Sequence, residues 1–293
     1  MKNASGSLLL LLTSLIWGTA FVAQRYGMDF VGPLTFQAVR TLLGFLTLLP
    51  IVLWRRRKLG RDFRMPSLKA VLCCGLPLMA ASTLQQIGLT TVNAGKAGFI
   101  TALYVVLVPV LGIFLGRRTG KKTWIGVALA LAGLYLLSSI SSLTISAGEL
   151  LLIACALLFS LQILAIDRFA PECDGIALSC FEFLVAGLLP LPLGLILEHP
   201  ALTQLWDARV AILYTGVFSC GIAYTLQILG QRRTPPALAS LIMSLESVFS
   251  VIFGALLLGE TMTGRELIGC GLVLAAVILS QLPEKKAANS ITT

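Results

Sequence analysis

The sequence has little charge. Only 12% of its 293 residues are Asp, Glu, Lys or Arg, while 57% are hydrophobic and the mean hydropathy is +0.93. A soluble domain normally carries about 25% charge. So few charges cannot cover so much apolar side chain in water, and lipid is the solvent that fits the composition. Histidine occurs once, as His199, which rules out a His-rich metal centre. Seven cysteines give no disulfide framework. Six lie in apolar runs and Cys173 in a short polar loop, which fits small packing residues. Also missing are a phosphate-binding Gly-rich loop followed by Lys and Ser or Thr, a His-Glu-x-x-His pair, cysteines at zinc spacing and a Gly-x-Ser-x-Gly elbow. The chain therefore reads as a non-enzyme, with no catalytic residue, no cofactor and no metal.

What is present is a series of long apolar runs. A spanning helix needs about 20 mostly apolar residues. Such segments lie near 7–25, 33–54, 69–90, 95–115, 123–141, 147–166, 176–197, 209–230, 236–258 and 266–282. The connecting loops are short, so neighbouring helices run antiparallel and no room remains for an extramembrane domain. The first run, Leu8 to Val22, reads as a retained helix because a later segment repeats it. Pro77, Pro109, Pro190 and Pro192 fall inside spans, where neighbouring helices can satisfy the freed carbonyls. Gly27, Gly88 and Gly259 end spans and allow tight exit turns.

The formal net charge of +9 raises the possibility of a nucleic-acid partner, but the placement of the bases argues against it. They sit in short clusters between apolar runs, such as Arg55-Arg56-Arg57-Lys58 and Arg117-Arg118, and read as anchors facing anionic membrane lipids. With the N-terminus inside, seventeen bases fall in cytoplasmic segments, Lys285 and Lys286 included, and three (Arg25, Arg209, Arg265) on the other side. Ten helices with both termini cytoplasmic satisfy the positive-inside rule.

The chain also repeats itself at an offset of 142 residues. Leu84-Gln85-Gln86-Ile87-Gly88 recurs as Leu226-Gln227-Ile228-Leu229-Gly230, and Ala97-Gly98-Phe99-Ile100 as Ala239-Ser240-Leu241-Ile242. Two five-helix halves follow, 1–142 and 143–293. Five is odd, so the second half enters the membrane from the opposite side. Inverted repeats of this kind are how many secondary transporters achieve alternating access.

Ionisable residues inside spans are costly and are functional candidates by default. Glu246, about ten residues into its span and flanked by Met243, Ser244, Ser247 and Ser250, is the leading one. It could bind a cationic group or carry a coupled proton. Arg40 and Lys96 lie toward the outer half, where snorkelling to the interface is expected, and Glu182 lies close to the cytoplasmic face. Gln85, Gln86, Gln162 and Gln227 bring amides to the interior, and Trp17, Phe99, Tyr104, Phe159 and Tyr224 bring aromatic walls.

Leu15-Ile16-Trp17-Gly18, Pro109, and the stretch Pro236-Ala237-Leu238-Ala239-Ser240 through Leu245-Glu246 to Leu258-Gly259-Glu260 resemble the drug/metabolite transporter superfamily, specifically its EamA-type permeases. The resemblance covers nearly the whole chain. Ser247 stands where the family commonly has proline after the glutamate, so the ninth helix is expected to run straighter. The resemblance implies an exporter of small organic solutes such as amino acids, metabolites or drugs across the bacterial inner membrane, working as a monomer or homodimer. It implies a cavity lined by the first, third, fourth, sixth, eighth and ninth helices, with the fifth and tenth peripheral. The substrate-site candidates are Trp17, Gln85, Lys96, Phe99, Tyr104, Gln162, Tyr224, Gln227 and Glu246. A passive channel or facilitator, or a membrane scaffold, are the competing readings.

Overall fold

The computed structural model describes residues 2–92, 94–137, 145–258 and 262–282, and these contain helices and turns but no strand. The first five spans are α1 (Lys2–Gly27), α2 (Pro33–Leu59), α3 (Leu68–Gly88), α4 (Ala94–Thr101 continuing as Tyr104–Phe114) and α5 (Lys121–Leu137). The second five are α6 (Ala147–Phe169), α7 (Gly175–Leu188 continuing as Pro190–Leu197), α8 (Arg209–Leu213, a π-helix over Tyr214–Tyr224, and Thr225–Gln231), α9 (Pro236–Met243 continuing as Leu245–Leu258) and α10 (Gly264–Gln281). Nine of them are long and apolar enough to cross a membrane; the remaining one, α5, has 17 described residues. Gly259, Glu260, Lys285 and Lys286 lie outside the described residues.

The protein is an all-α polytopic membrane protein, and its helix neighbours obey the repeat. α3 lies along α6 as α8 lies along α1, and α4 packs on α6 as α9 packs on α1. α2 crosses α7 and α5 crosses α10, each helix meeting its own counterpart. Small residues make the closest crossings possible, since packing rather than a solvent-driven force holds helices together in lipid. A Cβ on Gly6 would lie 3.1 Å from the Gly230 carbonyl oxygen, and one on Gly88 would lie 3.2 Å from that of Gly148. These two crossings are the same contact in the two halves. Large apolar side chains such as Phe114, Leu256 and Ile196 cover the outside, as a lipid-facing surface requires.

Charged groups tie the ends of the bundle. At the arginine-rich end Arg55 donates to Asp174 at 2.6 Å and Arg117 pairs with Asp167. At the opposite end both carboxylate oxygens of Glu198 accept from the first free amides of α2, Leu34 and Thr35, at 2.8 Å each. Glu149 closes a capping box with Ser146 at the start of α6 and also pairs with Lys96 of α4. All seven cysteines are free thiols, and Cys173 is buried despite its polar loop.

Candidate functional site

The helices of the two halves break at matching places. α4 is interrupted at Ala102–Leu103 and α9 at Ser244, positions 142 residues apart. At each break the backbone tightens in the same way. The Val105 amide donates to the Ala102 carbonyl at 2.9 Å, and the Ser247 amide to the Ser244 carbonyl at 3.2 Å. The Ser244 hydroxyl turns back on the Leu241 carbonyl at 2.8 Å and competes with the helical ladder. A straighter ninth helix was the expectation without a proline at 247. The break occurs nonetheless, at Ser244, where the Ser247 hydroxyl also reaches across to the Gly98 carbonyl of α4.

Tyr104 follows the first break and Glu246 the second. The Tyr104 hydroxyl donates to Glu246 Oε1 at 2.9 Å, and the two residues are separated by 142 positions. The two equivalent positions of the repeat therefore touch, which places this hydrogen bond on the axis relating the halves. Gly18 gives α1 its approach to the same point, since a Cβ there would come 2.4 Å from Phe249 Cβ and 3.0 Å from the Glu246 carbonyl oxygen.

Around the pair lies a cavity with about 30 Å³ open to the centre of a water molecule. That is room for one or two waters, so an organic solute enters only if the helices part. Much of its lining comes in repeat pairs: Trp17 with Phe159, Phe21 with Ile163, Gln85 with Gln227, Thr101 with Met243, and Tyr104 with Glu246. Gln24, Arg40, Gln162, Ser219 and Tyr224 line it without their counterparts. The Trp17 and Tyr224 rings lie 4.6 Å apart between centroids, and Phe183 packs edge-on to Tyr224 at 5.3 Å. Gln227 Nε2 donates to Gln162 Oε1 at 3.3 Å, and Gln85 Nε2 to the Thr101 hydroxyl at 3.4 Å. Trp17 Nε1, Gln24 Oε1 and Gln227 Oε1 are buried with no hydrogen-bond partner among the described residues. A donor and two acceptors thus remain for a polar ligand.

Of the nine site residues expected from sequence, seven meet at this cavity: Trp17, Gln85, Tyr104, Gln162, Tyr224, Gln227 and Glu246. Lys96 is held away at the end of the bundle by Glu149, and Phe99 packs in the hydrophobic core. The lining adds one helix to the expected set, α2, through Arg40. Snorkelling was expected of Arg40, but its side chain is buried within the bundle and turns to Gln37. Depth along a span is visible in sequence, whereas the direction around the helix depends on which neighbours offer an acceptor. The polar residues Gln37 and Ser82 near it were the available signal.

The chain matches the EamA-like transporter family twice, over residues 4–139 and 146–282. It is 30% identical over 283 residues to an uncharacterized transporter of Archaeoglobus fulgidus, covering 96% of this chain and 87% of that protein. It is 27% identical to the threonine/homoserine exporter RhtA of Escherichia coli (strain K12), over 95% of this chain and 92% of that one. It is 29% identical to the inner membrane transporter YedA of the same strain, over 92% and 88%. A protein crystal structure superposes with a TM-score of 0.80 at 21% identity, covering 95% of this chain and 97% of its own, which speaks to the fold alone. Two matched halves, related in space and meeting at a polar central cavity, make the conclusion direct: the chain is a membrane transporter and belongs to the EamA-like family of the drug/metabolite transporter superfamily.

Proposed function

We propose that this protein is a secondary transporter that exports small polar organic solutes by alternating access. The two repeats, 1–142 and 143–293, would rock about the central cavity and expose it to each side in turn. The observation that carries this reading is the Tyr104–Glu246 hydrogen bond between equivalent positions, each just past a helix break. A contact that joins the halves at their axis is well placed to sense both orientations. Glu246 is the candidate carrier of a coupled proton, and its one hydrogen-bond donor among the described residues is a hydroxyl rather than a cation. The relative that exports threonine and homoserine makes amino acids the first solutes to try. The reading includes a bacterial inner-membrane location with both termini cytoplasmic, following the distribution of bases.

The test is a solute screen on purified protein in liposomes without ATP, with and without a pH gradient. Uphill movement of a solute driven by the pH gradient, together with exchange of labelled for unlabelled solute, is expected. Conduction that never runs uphill and shows no exchange would make the protein a facilitator, and a strict need for ATP would end the secondary-transport reading.

A further inference from the structure

Arg40 is a buried cation without an anion. Its side chain is 4% exposed. Its Nε and Nη2 both donate to a single neutral acceptor, Gln37 Oε1, at 2.9 and 2.6 Å. Among the described residues no carboxylate forms an ion pair with it. A guanidinium has five N–H donors, and one amide oxygen neither fills them nor balances the charge. The side chain is nevertheless held in place. Gln37 Nε2 donates to the Ser82 hydroxyl at 2.5 Å, which in turn donates a hydrogen bond to the Leu78 carbonyl at 2.6 Å. That chain fixes the Gln37 amide and so aims the guanidinium, which lines the central cavity.

The same cavity contains Glu246, whose one side-chain hydrogen-bond partner among the described residues is Tyr104. Arg40 and Glu246 line one cavity, yet no ion pair joins them. The repeat shows that the architecture does not require a cation on α2. The equivalent position on α7 is Glu182, which is fully buried and does not line the cavity. The buried cation in the cavity wall is thus a feature of the first half alone.

We infer that Arg40 is the anion anchor of the transport cavity, and that with Glu246 it makes the cavity selective for small zwitterions. A carboxylate would take the open edge of the guanidinium, where a forked pair of N–H donors matches its two oxygens. An ammonium group would sit at Glu246, against the cavity walls made by the Trp17 and Tyr224 rings, whose faces favour cations. A solute with both groups balances both charges at once. A plain amine leaves Arg40 uncompensated, and a plain acid leaves Glu246 so.

This rests on the transporter reading, and the experiment separates the two. Wild-type protein in liposomes is offered the standard amino acids, then, for the best of them, its decarboxylated amine and its deaminated acid. Binding is followed by calorimetry and thermal stabilisation. The zwitterion is expected to bind at least about tenfold more tightly than either truncated analogue. R40Q should lose at least about tenfold for the zwitterion and for the acid, with little change for the amine. R40K, which keeps the charge but not the fork, should recover part of the loss and serves as the reference should R40Q fold poorly. Equal binding of zwitterion and amine by wild type, or zwitterion affinity unchanged in R40Q, overturns the assignment. So does wild-type protein that transports other solutes but binds no amino acid. Failure to transport any solute of a broad screen would instead overturn the transporter reading beneath it.

Discussion

The two halves share a pattern of helix neighbours and differ in the side chains they bring to the cavity. Trp17 answers to Phe159, Gln85 to Gln227 and Tyr104 to Glu246, and all six line the cavity. Arg40 answers to Glu182, and there the halves part: the arginine faces the cavity, while the glutamate lies behind Gln162, whose Nε2 is 3.5 Å from its Oε2. Ser82, which supports Gln37, corresponds to Tyr224, which forms an aromatic wall. The chain carries two matched halves, and unlike residues at equivalent positions give the cavity unlike walls. The contacts that keep a symmetric form, such as Gly133 on Gly269, involve small residues whose role is close approach.

The comparison can be broken most severely at its centre. E246Q keeps size and part of the hydrogen bonding but removes the proton and the charge. Transport per folded molecule should fall by at least about tenfold with normal membrane insertion. Initial rates in liposomes check this, and an unchanged rate would remove Glu246 from the mechanism.

The symmetric crossing far from the cavity should behave in the opposite manner. A Cβ at Gly133 would meet the Gly269 carbonyl oxygen at 2.7 Å. G133V should therefore cost about 1–3 kcal/mol of stability by overpacking. Its melting temperature should fall while ligand affinity of the folded fraction stays near wild type. A melting temperature equal to wild type would mean that α5 and α10 do not rely on this contact.

A gentler change sharpens the axis. Y104F removes only the donor to Glu246, worth about 1–2 kcal/mol for a hydrogen bond to a carboxyl group. Transport should slow severalfold, and the Y104F and E246Q losses should fail to add, since they touch one interaction. Full additivity in a double-mutant cycle would show that the two residues act separately.

The smallest effect belongs to the hidden counterpart of Arg40. Glu182 is fully buried, with the Gln162 amide and the Cys74 thiol beside its carboxyl group, and glutamine fits the same space. E182Q should leave ligand affinity within about twofold and folded yield near wild type, because its neighbours, the Gln162 amide and the Cys74 thiol, are neutral and no ion pair is lost. A loss as large as that of R40Q would place Glu182 in the transport cycle.

The order of amino acids determined the spans, their alternation and the two-fold repeat, because each is a periodic property that a window of neighbouring residues carries. It also marked Glu246, since an acid midway along an apolar run is unusual wherever the run packs. It could not determine which polar residues face one another. Lys96 found Glu149, a residue more than fifty positions away at the far start of α6, and left the cavity. Phe99 turned into the core. Arg40 was drawn inward by Gln37, whose amide is held by Ser82 of another helix. The break at Ser244 likewise belongs to the assembled bundle, where the Ser247 hydroxyl reaches the Gly98 carbonyl of α4 at 3.3 Å. The rotation of each helix about its own axis is set by the neighbours that satisfy its polar groups, and in a solvent that satisfies none of them only the tertiary structure decides it.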